Sequence, residues 1–284
     1  MKLGQLVFAG SKQLETAGVQ SPVVDAELLA AHVLGISRGE LQTKIIIDEE
    51  VSNEQVEHIS ELLAKRAERI PLQHLTGVAH FRNLSLRVGK GVFIPRPETE
   101  VVTELALAVL KAIPCETVAV DLCAGSGAIS VSLASESPNT KVFAWELNQE
   151  SRPFLEQNVA GHNVEVFFDD IANDSEQFEK LAGKVDVLIS NPPYIPSEAI
   201  PRDVEVRLHD PALALYGGED GMDVMKVVVK RANELLRSGG FVVVEHADDQ
   251  ALIVANLFEA AGFAQVRSHK DLNGKDRAVS AVKR

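Results

Sequence analysis

The sequence predicts an α/β protein in which a seven-stranded, mostly parallel sheet is clad in helices and preceded by a small helical domain and a β-hairpin. Three observations predict it. From Thr117 onward, short segments that are apolar nearly throughout alternate with helical ones, the pattern of strands buried on both faces. Before about residue 70, apolar residues recur at helical spacing instead. Between 71 and 95 they nearly alternate with polar residues, with glycines among them.

Taken in order, Leu3, Leu6, Val7 and Leu14 suit a first helix ending near Gly18. Ser21-Pro22 starts a second, with Asp25 and Glu27 at the positive end of its dipole and Gly35 as its stop. Ser52 and Gln55 form a capping box for a third, striped by Val56, Ile59, Leu62 and Leu63. The basic stretch Lys65, Arg66 and Arg69, beside Glu61 and Glu68, reads as a solvated face. Phe81, Leu84, Leu86, Val88, Val92 and Ile94, with Gly89 and Gly91 as turn residues, suggest the hairpin. A long amphipathic helix follows from near Thr99.

Strands are then expected at Val118–Leu122, Lys141–Glu146, Val164–Phe168, Val185–Ser190, Gly240–Glu245, Phe263–Ser268 and Arg277–Val282, with clear helices at Met222–Arg237 and Asp248–Ala261. Only Lys270–Asp276, containing Asn273-Gly274, separates the last two strands, so one of them must run against the rest. The domains expected are 1–70, helical and suited to recognising a partner; 71–95, the hairpin linker; and 96–284, the α/β domain.

Composition excludes several functions. A formal net charge of -13 over 284 residues disfavours gripping nucleic acid through its phosphates. Two cysteines, Cys115 and Cys123, provide neither a disulfide framework nor zinc spacing, so no metal is expected. Neither a signal-peptide core nor a run of ~18 apolar residues is present, which fits a cytoplasmic protein without membrane attachment.

In an open parallel sheet, ligands bind beyond the carboxyl ends of the strands. The first such loop is Asp121-Leu122-Cys123-Ala124-Gly125-Ser126-Gly127, whose glycines allow a tight turn and close backbone approach. Ser130 stands where a dinucleotide site would have its third glycine, and the Gly-Lys-Ser/Thr of a phosphate loop is missing. Asp121 suits a cofactor carrying an ammonium and a sulfonium rather than a pyrophosphate. Glu146, at the tip of the second strand, can accept from both hydroxyls of a ribose. Asp169 and Asp170 follow the third strand, next to residues that could border an adenine.

Ser190-Asn191-Pro192-Pro193-Tyr194, at the end of the fourth strand, is the sharpest signal. A carboxamide nitrogen is a poor nucleophile because its lone pair is delocalised into the carbonyl. Fixed acceptors at its NH2 group oppose that delocalisation as the transition state forms. The Asn191 side-chain oxygen and the Pro192 carbonyl are two such acceptors, the adjacent prolines hold the backbone rigid, and Tyr194 offers a flat ring against which a planar amide or base can stack.

DLCAGSGAI, WELN and NPPY together resemble the Rossmann-like, class I S-adenosylmethionine methyltransferases that modify amide or exocyclic nitrogens. Phe93-Ile94-Pro95-Arg96-Pro97-Glu98-Thr99-Glu100 and the stretch Asp210–Gly221 resemble, more specifically, the IPRPETE and EPxxAL-GGxDG segments of the PrmC/HemK family. That family methylates the N5 of the glutamine in the GGQ motif of peptide chain release factors. The resemblance implies S-adenosyl-L-methionine as methyl donor, held by Cys123, Ala124, Gly125, Ser126, Gly127 and Glu146, with Asp170 and Ile171 at the adenine. It implies release factors as partners and Asn191, Pro192, Pro193 and Tyr194 as the glutamine site. Cys123 stands where the family usually has glycine, and Asp210 where it usually has glutamate; Arg96 and Glu98 receive no role. A glutamine methyltransferase of a ribosomal protein and an adenine N6-methyltransferase remain as alternatives.

Overall fold

The structure, a computed structural model, describes residues 1–284. The chain divides into two compact units, Met1–Val78 with Pro201–His209 and Ala79–Ile200 with Asp210–Arg284.

The first unit contains α1 (Leu3–Thr16), α2 (Pro22–Leu34), α3 (Arg38–Ile46), α4 (Asn53–Ala67) and α5 (Leu72–Thr76). Its core gathers Leu3, Leu14, Leu29, Leu41 and Ile59. Gly35 ends α2 in the left-handed region at φ 65, and the Ser52–Gln55 capping box closes the start of α4. A second box, Ser37 with Glu40, opens α3, a helix that the periodicity did not reveal because Leu41 is its one buried residue. The unit extends past the expected boundary at 70, since Leu72 and Leu75 of α5 pack on the same core.

Arg66 corrects the solvated-face reading. It is buried, and its Nε donates to Asp25 Oδ2 at 2.7 Å while Nη2 donates to Glu205 Oε1 at 2.7 Å. Lys65 does behave as expected, pairing with Glu61 on the surface. Arg69 also reaches Glu205, at 3.0 Å. The two arginines thus hold the Pro201–His209 segment in this unit.

The second unit begins at Ala79, within the hairpin of β1 (Val78–Phe81) and β2 (Leu84–Arg87). Its turn falls at Arg82-Asn83, with Arg82 at φ 52, and not at Gly89 and Gly91 as the alternation suggested. Val88, Val92 and Ile94 are buried in irregular chain against Phe154. Gly89 serves that packing, because a Cβ there would lie 2.7 Å from the Phe154 ring.

After α6 (Pro97–Ala112) come β3 (Thr117–Leu122), α7 (Ala128–Glu136), β4 (Thr140–Trp145), α8 (Arg152–Val159), β5 (Val164–Phe167), α9 (Glu176–Leu181) and β6 (Val185–Ser190). Then follow α10 (Val204–His209), in the segment belonging to the first unit, and α11 (Ala212–Leu215), α12 (Asp223–Leu235), β7 (Leu236–Glu245), α13 (Ala251–Ala260), β8 (Ala264–Lys270) and β9 (Asp276–Val282). The sheet order is β5-β4-β3-β6-β7-β9-β8, with β9 antiparallel to both neighbours, as the short final connection required. The helix expected over Met222–Arg237 stops at Leu235, because buried Leu236 already pairs with Val185.

Candidate active site

The sheet order reverses at β3: the chain leaves it toward β4 and β5, then crosses back to β6 on its other side. That reversal opens a crevice at the carboxyl edge between β3 and β6. The register determines who stands there. Leu122 pairs with both Trp145 and Ser190, and Ser190 pairs with Val244. One residue further along each chain lies a row of Glu146, Cys123, Asn191 and Glu245. The three loops singled out in the sequence therefore meet at one edge.

A cavity of about 250 Å³ opens on this row. Among the expected residues, Cys123, Ala124, Gly125, Ser126, Glu146, Asp170, Ile171, Asn191, Pro193 and Tyr194 line it. Asp121, Gly127 and Pro192 do not. Asp121 lies beneath the loop, fully buried, with Oδ2 accepting from Ser130 Oγ at 2.5 Å and Oδ1 without a partner. Ser130, in the place of a third glycine, thus anchors the acid below the turn. Gly127 packs on α8, where a Cβ would lie 2.7 Å from Leu155 Cδ1.

Cys123 has φ 64, the left-handed conformation that a glycine takes freely, so the turn is retained with a side chain on it. Burial pushes its thiol pKa up, as do the charges of Glu146 and Asp121, which keeps it a thiol and not a nucleophilic thiolate. Glu146 bridges two loops: Oε2 accepts from Gly125 N at 2.6 Å and Oε1 from Asn148 N at 2.7 Å. Burial raises its pKa, and burial pushes Asp121 up to about 7. Glu146, which lines the cavity, and Asp121, buried beneath the loop, put two desolvated carboxyls on this side of the site, and a cationic ligand would favour their charged forms.

The glycine-rich segment after α11 explains how the NPPY loop is held. Gly217 N donates to Ile195 O at 2.9 Å, and Ile195 N donates to Leu215 O at 2.9 Å. A Cβ on Gly217 would collide with the Pro193 carbonyl, and one on Gly221 with the Tyr194 carbonyl. Gln250 Nε2 donates to that Tyr194 carbonyl at 2.8 Å. The two segments are so close that only glycine fits between them.

Sequence reasoning missed several cavity residues, among them Phe93, Thr99 and Leu213 to Tyr216. The signal was present, since they fall in the two family-like segments whose roles had no assignment. Arg96 now has partners: Nη2 donates to Asp210 Oδ2 at 2.7 Å, and its guanidinium lies 5.2 Å from the Phe93 ring centroid.

Sheet order, switch point and glycine turn place the second unit among the Rossmann-like, class I methyltransferases. Residues 83–215 match the methyltransferase small domain, and residues 5–77 match the PrmC N-terminal domain. The chain is 44% identical over 280 residues to the release factor glutamine methyltransferase of Streptomyces coelicolor, covering 98% of this chain and 96% of that one. It is 43% identical over 283 residues to that of Mycolicibacterium smegmatis, covering 99% and 98%, and 38% identical over 288 residues to that of Mycobacterium tuberculosis, covering 100% and 92%. The chain belongs to the release factor glutamine methyltransferase family.

Proposed function

We propose that this protein transfers the methyl group of S-adenosyl-L-methionine to the N5 amide nitrogen of the glutamine in the GGQ motif of peptide chain release factors. The observation that carries this is the setting of Asn191. Its Nδ2 donates to Thr99 Oγ1 at 3.2 Å, which leaves Oδ1 as the free end of a carboxamide that lines the cavity.

The residues fit the donor. The carboxylate of Glu146 lines the cavity and suits ribose hydroxyls, and Asp121, buried beneath the loop, adds a second carboxyl whose charge favours a cationic donor from a distance. Gly125, at φ 57 with open space where a Cβ would stand, lets the ligand approach the backbone. Asp170 and Ile171 are assigned to the adenine. When bound, S-adenosyl-L-methionine supplies a methyl group activated on a cationic sulfur.

The chain's own work is to receive a weak nucleophile. Asn191 Oδ1, on the cavity wall, accepts a hydrogen bond from the substrate NH2. The Pro192 carbonyl, next to it in the chain though not itself lining the cavity, is assigned as the second acceptor. Both favour the state in which the nitrogen lone pair withdraws from the carbonyl. Pro193 and Tyr194 supply the wall against which the planar amide lies. Transfer leaves one excess proton on nitrogen, which departs to water. The helical unit is assigned to recognition of the protein substrate. A release factor works beside the ribosome, so this reading puts the enzyme in the cytoplasm; no helix is long and apolar enough to cross a membrane.

The test offers methyl-labelled donor with release factor, ribosomal protein or adenine-containing DNA. Label on the GGQ glutamine is expected, and label on DNA alone would overturn the reading. Asn191→Ala should lower transfer by about a hundredfold or more while donor binding, measured by calorimetry, persists. Equal loss of both would make Asn191 a donor ligand instead.

A further inference from the structure

Glu245 ends β7 one row beyond the pairing of Ser190 with Val244, so the register sets it beside Asn191. Its residue is only 2% exposed. Oε2 accepts from the Thr99 hydroxyl at 2.7 Å, and Oε1 accepts from the Tyr194 hydroxyl at 3.4 Å. The same Thr99 oxygen accepts from Asn191 Nδ2 at 3.2 Å. One buried carboxylate thus touches both functional side chains of the NPPY loop, one directly and one through a single hydroxyl.

We infer that Glu245 is a positioning residue for methyl transfer, fixing through the Thr99 hydroxyl which end of the Asn191 carboxamide faces the cavity and holding the Tyr194 ring through its hydroxyl. The inference rests on the reading of Asn191 Oδ1 as the acceptor of the substrate NH2. A carboxamide has two ends of nearly equal size, and a half-turn would present an NH2 group to the substrate's NH2 group, donor against donor. Something must set the direction. Thr99 has one hydroxyl proton, and an ionised carboxylate can only accept, so that proton goes to Glu245. Only lone pairs then remain on Thr99 toward Asn191, and they select its Nδ2. The acceptor-only character of the carboxylate is passed through the hydroxyl to the far end of Asn191.

The polarity holds while Glu245 is ionised. Burial opposes that form, and so does the charge of Glu98 on α6, whereas the Thr99 hydroxyl, Arg277 on β9 and the Tyr194 hydroxyl favour it; the balance pushes the carboxyl up to about 7. Once protonated, Glu245 can donate to Thr99, whose own proton is then free to turn toward Asn191 and reverse it. The substitution Glu245→Gln would carry the same defect at every pH, because the amide it introduces can present N–H to Thr99.

Three variants test this. Glu245→Gln and Thr99→Val should lower kcat about ten- to a hundredfold with donor affinity held within about twofold, while Thr99→Ser stays within about threefold of wild type. Wild-type kcat should fall below about pH 7, and the Glu245→Gln profile should lack that limb. A readout without substrate accompanies these: the side-chain amide NMR signal of Asn191, identified by its absence in Asn191→Ala, should move in Glu245→Gln and Thr99→Val but not in Thr99→Ser. Wild-type kcat in Glu245→Gln and Thr99→Val overturns the inference. So does a Thr99→Ser enzyme as slow as Thr99→Val, or donor affinity lost in step with kcat. If the wild-type protein labels no release factor, the proposed substrate is wrong, and the amide signal alone decides for or against the relay.

Discussion

Gly125 and Gly127 are two residues apart and both left-handed, at φ 57 and φ 82, yet they are glycine for different reasons. A Cβ on Gly125 would meet nothing within 4 Å, because that side of the loop is the cavity. A Cβ on Gly127 would strike Leu155, which is fully buried. In Gly125→Ala the chain bears the left-handed strain, about 1–2 kcal/mol, and the new methyl takes up space meant for ligand. Cys123, at φ 64, shows that this loop already carries one side chain in that conformation. In Gly127→Ala the same strain adds to overpacking, about 1–3 kcal/mol more. Urea unfolding should therefore rank Gly127→Ala as the less stable variant, and calorimetry should rank Gly125→Ala as the weaker donor binder. The opposite order in both would mean the open side of Gly125 is not where donor binds.

Among the elements, the segment Pro201–His209 has the least ordinary support. It leaves the second unit a few residues after Tyr194 and is held by Arg66 and Arg69 through Glu205. Arg66 is 4% exposed and has Asp25 as its other carboxylate partner. Asp25→Ala should cost about 3 kcal/mol, since it strips the more buried of two carboxylate partners from Arg66 and leaves it Glu205 alone. Glu205→Gln leaves Arg66 paired with Asp25 and should cost only about 1–2 kcal/mol, confined to the segment. Hydrogen exchange distinguishes the two: Glu205→Gln should speed exchange in 201–209 alone, and Asp25→Ala throughout the helical unit. Uniform exchange in both would mean that Glu205 does not tether the segment.

These elements also mark where the sequence was readable. The central strands β3, β4 and β6 were legible to within a residue because burial on both faces leaves short runs that are mostly apolar. The helices α3, α10 and α11 were not, as Leu41 and Leu215 are the only residues they bury and so no stripe forms. Arg66 misled for a related reason: three charges at helical spacing look alike whether or not a distant Asp25 waits behind one of them. The glycine turn and NPPY announced themselves by backbone chemistry. Thr99 lay in a family-like segment but without a role, and Glu245 and Gln250 carried no signal, because a threonine in a first helical turn and an acid at a strand end acquire meaning only when the register joins them.

At the scale of the whole molecule, the buried carboxyls of the active-site edge should govern how stability responds to pH. Burial pushes both Asp121 and Glu245 up to about 7, from ordinary values of 3.8 and 4.5. Between about pH 4 and 7 the folded state therefore keeps protons that the unfolded state has released, and stability falls as pH rises through this window. His246 and His269 work the other way, because burial lowers their pKa and the unfolded chain gains protons there below about 6.5; their shifts are smaller. Carboxylates held low, such as Glu136 beside Arg82, lose their contribution only below about pH 4. Self-repulsion from a net charge of -13 also eases on acidification, so comparison with variants isolates the carboxyls. Urea unfolding of wild type should give a free energy that rises by about 1–3 kcal/mol from pH 8 to pH 5.5, and Asp121→Asn and Glu245→Gln should each flatten that rise. A cationic donor bound at Glu146, above the buried Asp121, favours the ionised forms of both, so its affinity should grow with pH through about 7 and a saturating amount should reduce the slope. A slope unchanged in both variants would mean that these two carboxyls are ionised in the folded protein, and that the cavity meets its donor with its negative charge already in place.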